Sequence, residues 1–142
     1  EGNIAGAINC NFEVGSAISS SKIVPSTSFE QAYAKRWGKP LEAGHGPAPS
    51  YESVYILAEA IERAGSLDAD AIVAELEKTD RQGLMGRIKF DDGHQVVYGM
   101  SPEESAAAAV FQWTADGGRT IVFPTALAES EIALPEGLKP AK

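Results

Sequence analysis

The chain has few of the side chains from which disulfide frameworks and metal sites are built. Its 142 residues include one cysteine and two histidines. A single cysteine, Cys10, excludes an intrachain disulfide, and we expect it to be a small buried residue at the end of a strand. His45 and His94 stand outside any His-x-x-x-His or Cys-x-x-Cys spacing. The sequence therefore predicts no metal site.

Long apolar runs and positive charge are also scarce. The apolar stretches are far shorter than the roughly 20 residues that span a bilayer. Twenty acidic residues against twelve basic ones give a net charge of -8, and the basic residues are scattered, so we expect no nucleic-acid partner. No Gly-x-Gly-x-x-Gly spacing, phosphate loop or Gly-x-Ser-x-Gly elbow is present. The sequence therefore predicts no cofactor and disfavours serine catalysis.

Helical periodicity dominates the first half of the chain. It predicts helices near residues 27–37, 51–64 and 68–79. Thr27 and Glu30 form a capping-box pattern at the start of the first helix. The aromatic residues of that helix are spaced by four and share one face: Phe29, Tyr33 and Trp37. Gly38 is expected to end it.

The segment before the second predicted helix, residues 38–50, is rich in glycine and proline. Its prolines lack an N–H donor, so we expect no helix within it. Ser50 is expected to cap the helix that follows, and Asp68 the next one. The apolar spacing predicts the buried residues of these two helices as Tyr51, Val54, Leu57, Ala58 and Ile61, then Ile72, Val73 and Leu76.

Strand-like periodicity appears in residues 4–11 and again beyond Gly83. Residues 88–90 and 95–98 predict a hairpin around Asp92-Gly93. A second pair is predicted over residues 108–114 and 119–123, joined by a glycine-rich turn. The two helices before Gly83 are too short to be stable alone, so they are expected to pack on a sheet.

Three blocks of sequence carry a family resemblance. They are the Tyr-x-x-Val-x-x-Leu-Ala-x-Ala-Ile-Glu-x-Ala-Gly-Ser run from Tyr51, the Gly-x-x-Gly-x-Ile-x-Phe-Asp turn from Gly83 and the Val-Phe-Gln-Trp-x-x-Asp-Gly strand from Val110. In this order they resemble the C-terminal part of type I periplasmic binding proteins, the branched-chain amino acid and amide receptors of ABC importers.

The resemblance implies an α/β fold, namely a three-layer lobe with a mostly parallel sheet flanked by helices and with C-terminal antiparallel strand pairs. It implies that residues 1–123 form the second, C-terminal lobe of a larger two-lobed receptor, with residues 124–142 as an irregular tail. Because the sequence opens at Glu1-Gly2-Asn3 with no initiator Met and no signal segment, we expect a fragment of such a receptor. The implied partners are the missing N-terminal lobe and an ABC transporter permease.

The function implied by the resemblance is solute binding without catalysis. The ligand would be a small polar molecule held between two lobes: an amino acid, an amide or a small carboxylic or aromatic acid. The implied location is periplasmic, or extracellular and membrane-associated. A ligand-sensing domain of a regulator with the same fold is an alternative, and a small hydrolase using Cys10 or a serine with His45 is a less favoured one.

Ligand contacts are predicted where a strand ends and where a helix begins. Open α/β sheets bind ligands outside the carboxyl ends of their strands, and a helix N-terminus offers free N–H groups and a partial positive charge. In the resembled family, the chain before the helix that corresponds to Tyr51 lies at the mouth of the cleft. The predicted ligand-binding residues are Asn11, Phe12, Glu13, His45, Pro47 and Tyr51.

Overall fold

The computed structural model describes residues 5–11, 20–41 and 46–134. Three helices lie in the described part: α1 (Val24–Trp37), α2 (Pro47–Ala64) and α3 (Ala69–Leu76). The strands are β1 (Ile8–Asn11), β2 (Asp80–Gly83), β3 (Gly86–Lys89), β4 (Tyr98–Gly99), β5 (Ala106–Ala107), β6 (Ala109–Trp113) and β7 (Arg119–Phe123). The three predicted helices and the β6–β7 strand pair are thereby confirmed. None of the described helices is long and apolar enough to cross a membrane.

The described strands form two sheets. Sheet A has the order β1-β6-β7, and sheet B has the order β2-β3-β5-β4. Every pairing is antiparallel except that of β4 with β5. The α/β class is confirmed, but the expectation of a mostly parallel sheet is wrong for these strands. Two of the antiparallel pairings follow directly from the chain, because short turns join β2 to β3 and β6 to β7.

The β2–β3 hairpin was not predicted, because its first strand is charged. Asp80 pairs with Lys89 and Gly83 with Gly86 across the hairpin. The predicted return of the chain after Asp92-Gly93 is present as an antiparallel bridge between Phe90 and Val96. Beyond that bridge the chain leaves the hairpin and forms β4, which runs parallel to β5.

Helix α1 begins earlier than the capping box predicts. Its first residue is Val24, and Ile23 is an N-cap that makes no side-chain hydrogen bond. The Thr27 hydroxyl instead donates to the carbonyl of Ser20 at 3.0 Å, so it holds the preceding turn and does not cap the helix. The predicted end is confirmed, since Gly38 is left-handed and its N–H donates to the carbonyl of Ala34.

Helix α2 also begins earlier, inside the segment that was expected to exclude a helix. Pro47 is its first residue and Gly46 its N-cap. Proline is tolerated there because the first N–H groups of a helix have no acceptor within it. The Ser50 N–H donates to the carbonyl of Gly46 at 3.0 Å, so Ser50 lies within the first turn and is not the cap.

The buried face of α2 differs from the predicted apolar face. The buried residues are spaced by four: Ala48, Glu52, Ile56 and Ala60. Val54, which was expected in the core, is 67% exposed. The face is rotated because Glu52 is buried with its own partners, described below. In α3 the predicted cap is confirmed, since the Asp68 carboxylate accepts from the Ala71 N–H at 3.0 Å, whereas Val73 is exposed.

Two apolar clusters form the core. The cluster beneath sheet A contains Ile23, Ala107, Ala109, Ile121 and Leu127. The cluster between α2 and sheet B contains Ala48, Ile56, Leu84, Met85, Ile88 and Ala106. Adjacent residues of β5 belong to different clusters because neighbouring side chains in a strand point to opposite faces. This short strand therefore separates the two clusters.

Candidate ligand cleft

An open cleft of about 580 Å³ lies between α1, the start of α2 and the β2–β3 turn. Small-molecule sites commonly have volumes of roughly 300–1,000 Å³. Helix α1 contributes aromatic and basic side chains to the lining, and α2 contributes Tyr51 and Glu52. Arg81 and Leu84 lie at the hairpin side. The size suits a small solute.

Aromatic rings form one wall of the cleft. Along α1, the Phe29 and Tyr33 ring centroids are 6.4 Å apart and those of Tyr33 and Trp37 are 6.3 Å apart. Across to α2, Phe29 and Tyr51 are 4.8 Å apart, and Tyr51 and Tyr55 follow at 4.9 Å. The predicted aromatic face of the first helix is confirmed. Four of the five rings line the cleft, and Tyr55 extends their row along α2. We call the five rings the aromatic wall.

Glu52 is a buried carboxylate beside this wall. It is 2% exposed. One of its oxygens accepts from Arg81 Nε at 2.8 Å, and the other accepts from the Leu84 N–H at 2.6 Å. These charge-assisted hydrogen bonds offset the cost of removing the carboxylate from water. Glu52 therefore fixes the start of α2 to the β2–β3 turn.

Arg81 is held by more than one partner. Its guanidinium also pairs with Glu59, about two turns beyond Glu52 along α2. It lies 5.2 Å from the Tyr55 ring centroid. Burial lowers the pKa of Arg81, but the hydrogen bond and the negative charge of Glu52, with those of Glu59, outweigh it, so the pKa is raised. Arg81 therefore stays charged and its charge is neutralised within the protein.

Gly83 is required by the position of the Glu52 side chain. A Cβ atom at Gly83 would lie 2.6 Å from the carboxylate carbon of Glu52, well inside van der Waals contact. The absence of a side chain at this residue lets the carboxylate reach the Leu84 N–H.

Tyr51 is the predicted ligand residue that lines the cleft. Its hydroxyl lies 3.4 Å from that of Tyr55. The hydrogen bond to Tyr55, with partial burial, raises the pKa of Tyr51. The phenol is therefore neutral over the physiological pH range, and its hydroxyl donates to that of Tyr55.

The backbone at the start of α2 offers fewer free N–H groups to an anion than we expected at a helix N-terminus. Pro47 and Pro49 have no N–H group, and that of Ser50 is bonded to Gly46. The remaining residue of the first turn, Ala48, is fully buried. The expectation of several free N–H groups at this helix start is therefore wrong.

The other predicted site residues lie apart from the aromatic wall or outside the described part of the chain. Pro47 begins α2, one turn before Tyr51. Asn11 ends β1, where its backbone is in register with Ala109 of β6. Phe12, Glu13 and His45 lie outside the described residues. The roles of all six in ligand binding stay predictions.

Sequence reasoning missed Arg36, Glu52 and Arg81, which carry the charges of the cleft. A signal for one of them was present, because Glu52 and Glu59 are spaced by seven and lie on one helical face. Among the described residues, no group of three or more His, Cys, Asp or Glu side chains is arranged to hold a metal ion.

Comparison with known proteins gives a family match over residues 25–120, to a model described as periplasmic binding protein. The chain is 32% identical over 112 residues to the Leu/Ile/Val-binding protein homolog 7 of Brucella suis, and 31% identical to that of Brucella abortus. These alignments cover 76% of the chain and 26% of each relative. The chain thus spans about a quarter of the length of these curated relatives.

Two solved structures share the fold. A Silicibacter pomeroyi protein assigned to the branched-chain amino acid ABC transporters superposes with a TM-score of 0.74 at 16% identity, covering 94% of this chain and 35% of that one. The leucine binding protein LivK of Thermotoga maritima gives a TM-score of 0.56 at 24% identity, covering 83% and 30%. The family match extends over well over half of the 142 residues. This chain therefore belongs to the periplasmic binding protein family.

Proposed function

We propose that the protein carrying this chain is the solute-binding component of an ABC importer. It holds a small molecule between two lobes, to which this chain contributes, and presents the closed form to a membrane permease from the periplasm. The observation that carries the proposal is the family match over residues 25–120, the segment that contains α1, α2 and the cleft between them.

Family membership confirms the predicted resemblance and the expectation of a binding protein in place of an enzyme. The relatives are named for binding leucine, isoleucine and valine, and one fold neighbour is named for binding leucine. These names support an amino acid as the ligand.

The cleft supports binding but encloses a ligand on one side only. Its rings and charged groups come from α1, α2 and one hairpin, and small-molecule sites usually bury most of the ligand surface. The chain also spans only about a quarter of its relatives. We therefore propose that residues elsewhere in the whole protein complete the site.

The proposal is tested by calorimetry on this chain and on the full-length natural protein that carries it. Both are titrated with a panel of amino acids, amides and small aromatic acids. We expect the full-length protein to bind at least one solute, and the chain alone to bind that solute at least about tenfold more weakly, because part of the enclosure is missing. Equal affinities would contradict a site shared with the rest of the protein.

A substitution within the full-length protein locates the site. Tyr51→Ala removes a ring of the aromatic wall, so we expect weaker binding of the solute found in the panel. Leu67→Ala is the matched control, since Leu67 is 82% exposed between α2 and α3. If no solute in the panel binds the full-length protein, the proposed function is wrong.

A further inference from the structure

We infer that the outward face of α2 is an interface, and that an apolar surface from the rest of the full-length protein packs on it. Four residues form this face, at the i, i+3, i+4, i+7 spacing of an amphipathic helix: Val54, Leu57, Ala58 and Ile61. We call them the α2 stripe. This interface goes beyond the proposed function, because it concerns how the remainder of the polypeptide packs on this chain.

The α2 stripe is apolar along its whole length. At 3.6 residues per turn its members fall within an arc of about 100°, the width of the apolar face that a helix usually turns toward a core. The charged residues of α2 all lie outside that arc: Glu52, Glu59, Glu62 and Arg63. The sequence of α2 is therefore patterned for burial on the side where the stripe lies.

The described part of the chain buries the opposite side of α2. The buried residues recur every four positions from Ala48 to Ala60 and face sheet B. On the stripe, by contrast, Val54 is 67% exposed and Leu57 is 46% exposed. A helix that is apolar on two opposite sides is suited to lie between two packed layers. Sheet B is one layer, and the α2 stripe faces the position of a second.

The α2 stripe is a different surface from the candidate cleft. The cleft takes its α2 residues, Tyr51 and Glu52, from nearer the start of the helix. The stripe runs along about two turns beyond them. A ligand in the cleft therefore does not account for the apolar character of the stripe.

The rest of the same polypeptide is the occupant that the observations favour. The chain spans about a quarter of the length of its curated relatives and about a third of the Silicibacter pomeroyi protein that shares its fold. A segment tethered to the chain acts at an effective concentration on the order of millimolar. A second copy has no tether, and two chains that each carry a net charge of -8 repel one another. Because the stripe is uncharged, the surface that covers it should be neutral and apolar.

Hydroxyl-radical footprinting of the full-length natural protein tests the interface without any substitution. The oxidation rate of each leucine in urea, divided by its rate in the native protein, gives a protection factor by peptide mass spectrometry. Leu57 and Leu67 have the same side-chain chemistry, and their exposures in this chain are 46% and 82%.

We expect Leu57 to be protected at least about tenfold, because a covered side chain reacts only when the interface opens. Its exposure in this chain corresponds to a factor of only about two. Leu67, which lies off the stripe, serves as the control and should show little protection. A factor of about two or less for Leu57 overturns the inference.

Cysteine labelling checks the α2 stripe at a second residue. In the full-length protein, a maleimide should react at least about tenfold more slowly with Val54→Cys than with Leu67→Cys. Mapping the label to its peptide separates both positions from Cys10. Circular dichroism of the two variants should match the parent, because both substituted side chains lie outside the core of this chain. Equal labelling rates in folded variants would contradict a covered stripe.

The oligomeric state of the same sample identifies the occupant. Sedimentation should show that Leu57 stays protected in the monomer and on dilution. Protection that is lost as a dimer dissociates would assign the stripe to a second copy and overturn the inference. These measurements need no ligand, so exposure of Leu57 would leave the solute receptor standing, and failure of every solute to bind would leave the interface standing.

Discussion

The two sheets hold their neighbouring segments with different chemistry. At sheet B, an ionised pair, Glu52 and Arg81, joins α2 to the hairpin. At sheet A, the neutral side-chain amide of Gln112 joins the segments before β1 and after β7. Gln112 is 4% exposed, and its Nε2 donates to the carbonyls of Gly6 at 2.9 Å and Ala133 at 2.7 Å. Its Oε1 accepts from the Ala133 N–H at 3.0 Å.

The comparison shows that burial of a polar group is tolerated when each of its atoms has a partner. The two contacts differ in which groups are left unpaired when one side chain is removed. Removing one side chain of the ionised pair leaves the other charge unpaired in a poorly solvated site. Removing the amide leaves only neutral backbone groups unpaired. Sheet B should therefore be more sensitive to substitution than sheet A.

The largest effect is expected at a glycine of sheet B. Gly86 has a φ of 96°, and a Cβ there would lie 2.7 Å from the Ser105 carbonyl oxygen and 2.9 Å from Pro102 Cα. Because both obstacles are backbone atoms, Gly86→Ala should lower the free energy of unfolding by roughly 4 kcal/mol. Chemical denaturation measures it.

The control for that glycine lies in the turn of sheet A. Gly117 has a similar φ of 81°, but nothing lies within 4 Å of its Cβ position. Gly117→Ala should therefore cost only about 1 kcal/mol, the strain of the left-handed conformation. Equal losses for the two glycines would show that conformation, and not crowding, sets the cost.

The second effect concerns the ionised pair. Glu52→Ala leaves Arg81 with Glu59 alone and the Leu84 N–H without its acceptor. The expected loss is about 3 kcal/mol in the free energy of unfolding. Glu62→Ala, at an exposed position of the same helix, should change it by less than about 0.5 kcal/mol. A loss for Glu52→Ala no larger than for Glu62→Ala would mean that the pair is not formed.

The third effect tests the neutral amide of sheet A. Gln112→Ala removes the hydrogen bonds to Gly6 and Ala133, and should cost about 2 kcal/mol. Hydrogen exchange should show faster exchange of the Ala133 N–H, which loses its acceptor. The exposed Gln95 provides the control, since Gln95→Ala should leave both measurements near the parent values. A loss for Gln112→Ala larger than for Glu52→Ala would reverse the comparison of the two sheets.

The smallest effect is a pH dependence within sheet B. Arg87 donates from Nε and Nη2 to the two oxygens of Asp80, at 2.6 and 2.7 Å. This hydrogen bonding lowers the pKa of Asp80 from its ordinary value of 3.8. A lowered carboxyl pKa stabilises the fold above the ordinary value, and the stabilisation disappears as the pH falls through the lowered one.

Urea denaturation over a range of pH tests this dependence. Asp80→Asn should be slightly less stable than the parent at neutral pH, with the difference shrinking as the pH falls below 3.8. The effect is small because both partners are substantially exposed. Asp92→Asn serves as the exposed control, and a difference for Asp80→Asn that persists in acid would assign the loss to something other than charge.

Much of the fold follows from local sequence signals. The helix end at Gly38 was predicted because glycine adopts the left-handed conformation at low cost, and Gly65 ends α2 in the same conformation. The starts of α1 and α2 were misplaced because Pro25 and Pro47 stand in first turns, where proline is compatible with a helix. A pattern that treats proline only as a helix breaker places such starts too late.

The remaining errors come from tertiary contacts that local patterns do not contain. Apolar spacing placed Val54 in the core, but the partners of Glu52 lie on a hairpin about thirty residues away, and their pairing turns a charged face of α2 inward. The same contact explains why only some of the residues that line the cleft were predicted. Tyr51 and the aromatic face of α1 were visible from spacing, whereas the roles of Arg36 and Arg81 depend on which carboxylates reach them.

The contact between Gly83 and Glu52 also limits how this sequence can diverge. Because the carboxylate fills the space that a methyl group at residue 83 would need, a substitution at either position changes what is acceptable at the other. Relatives with a larger residue at position 83 should carry a shorter or reoriented side chain at position 52, and Arg81 should change with them. Covariation of these three positions in an alignment would identify the same helix-to-hairpin contact in proteins whose structures have not been determined.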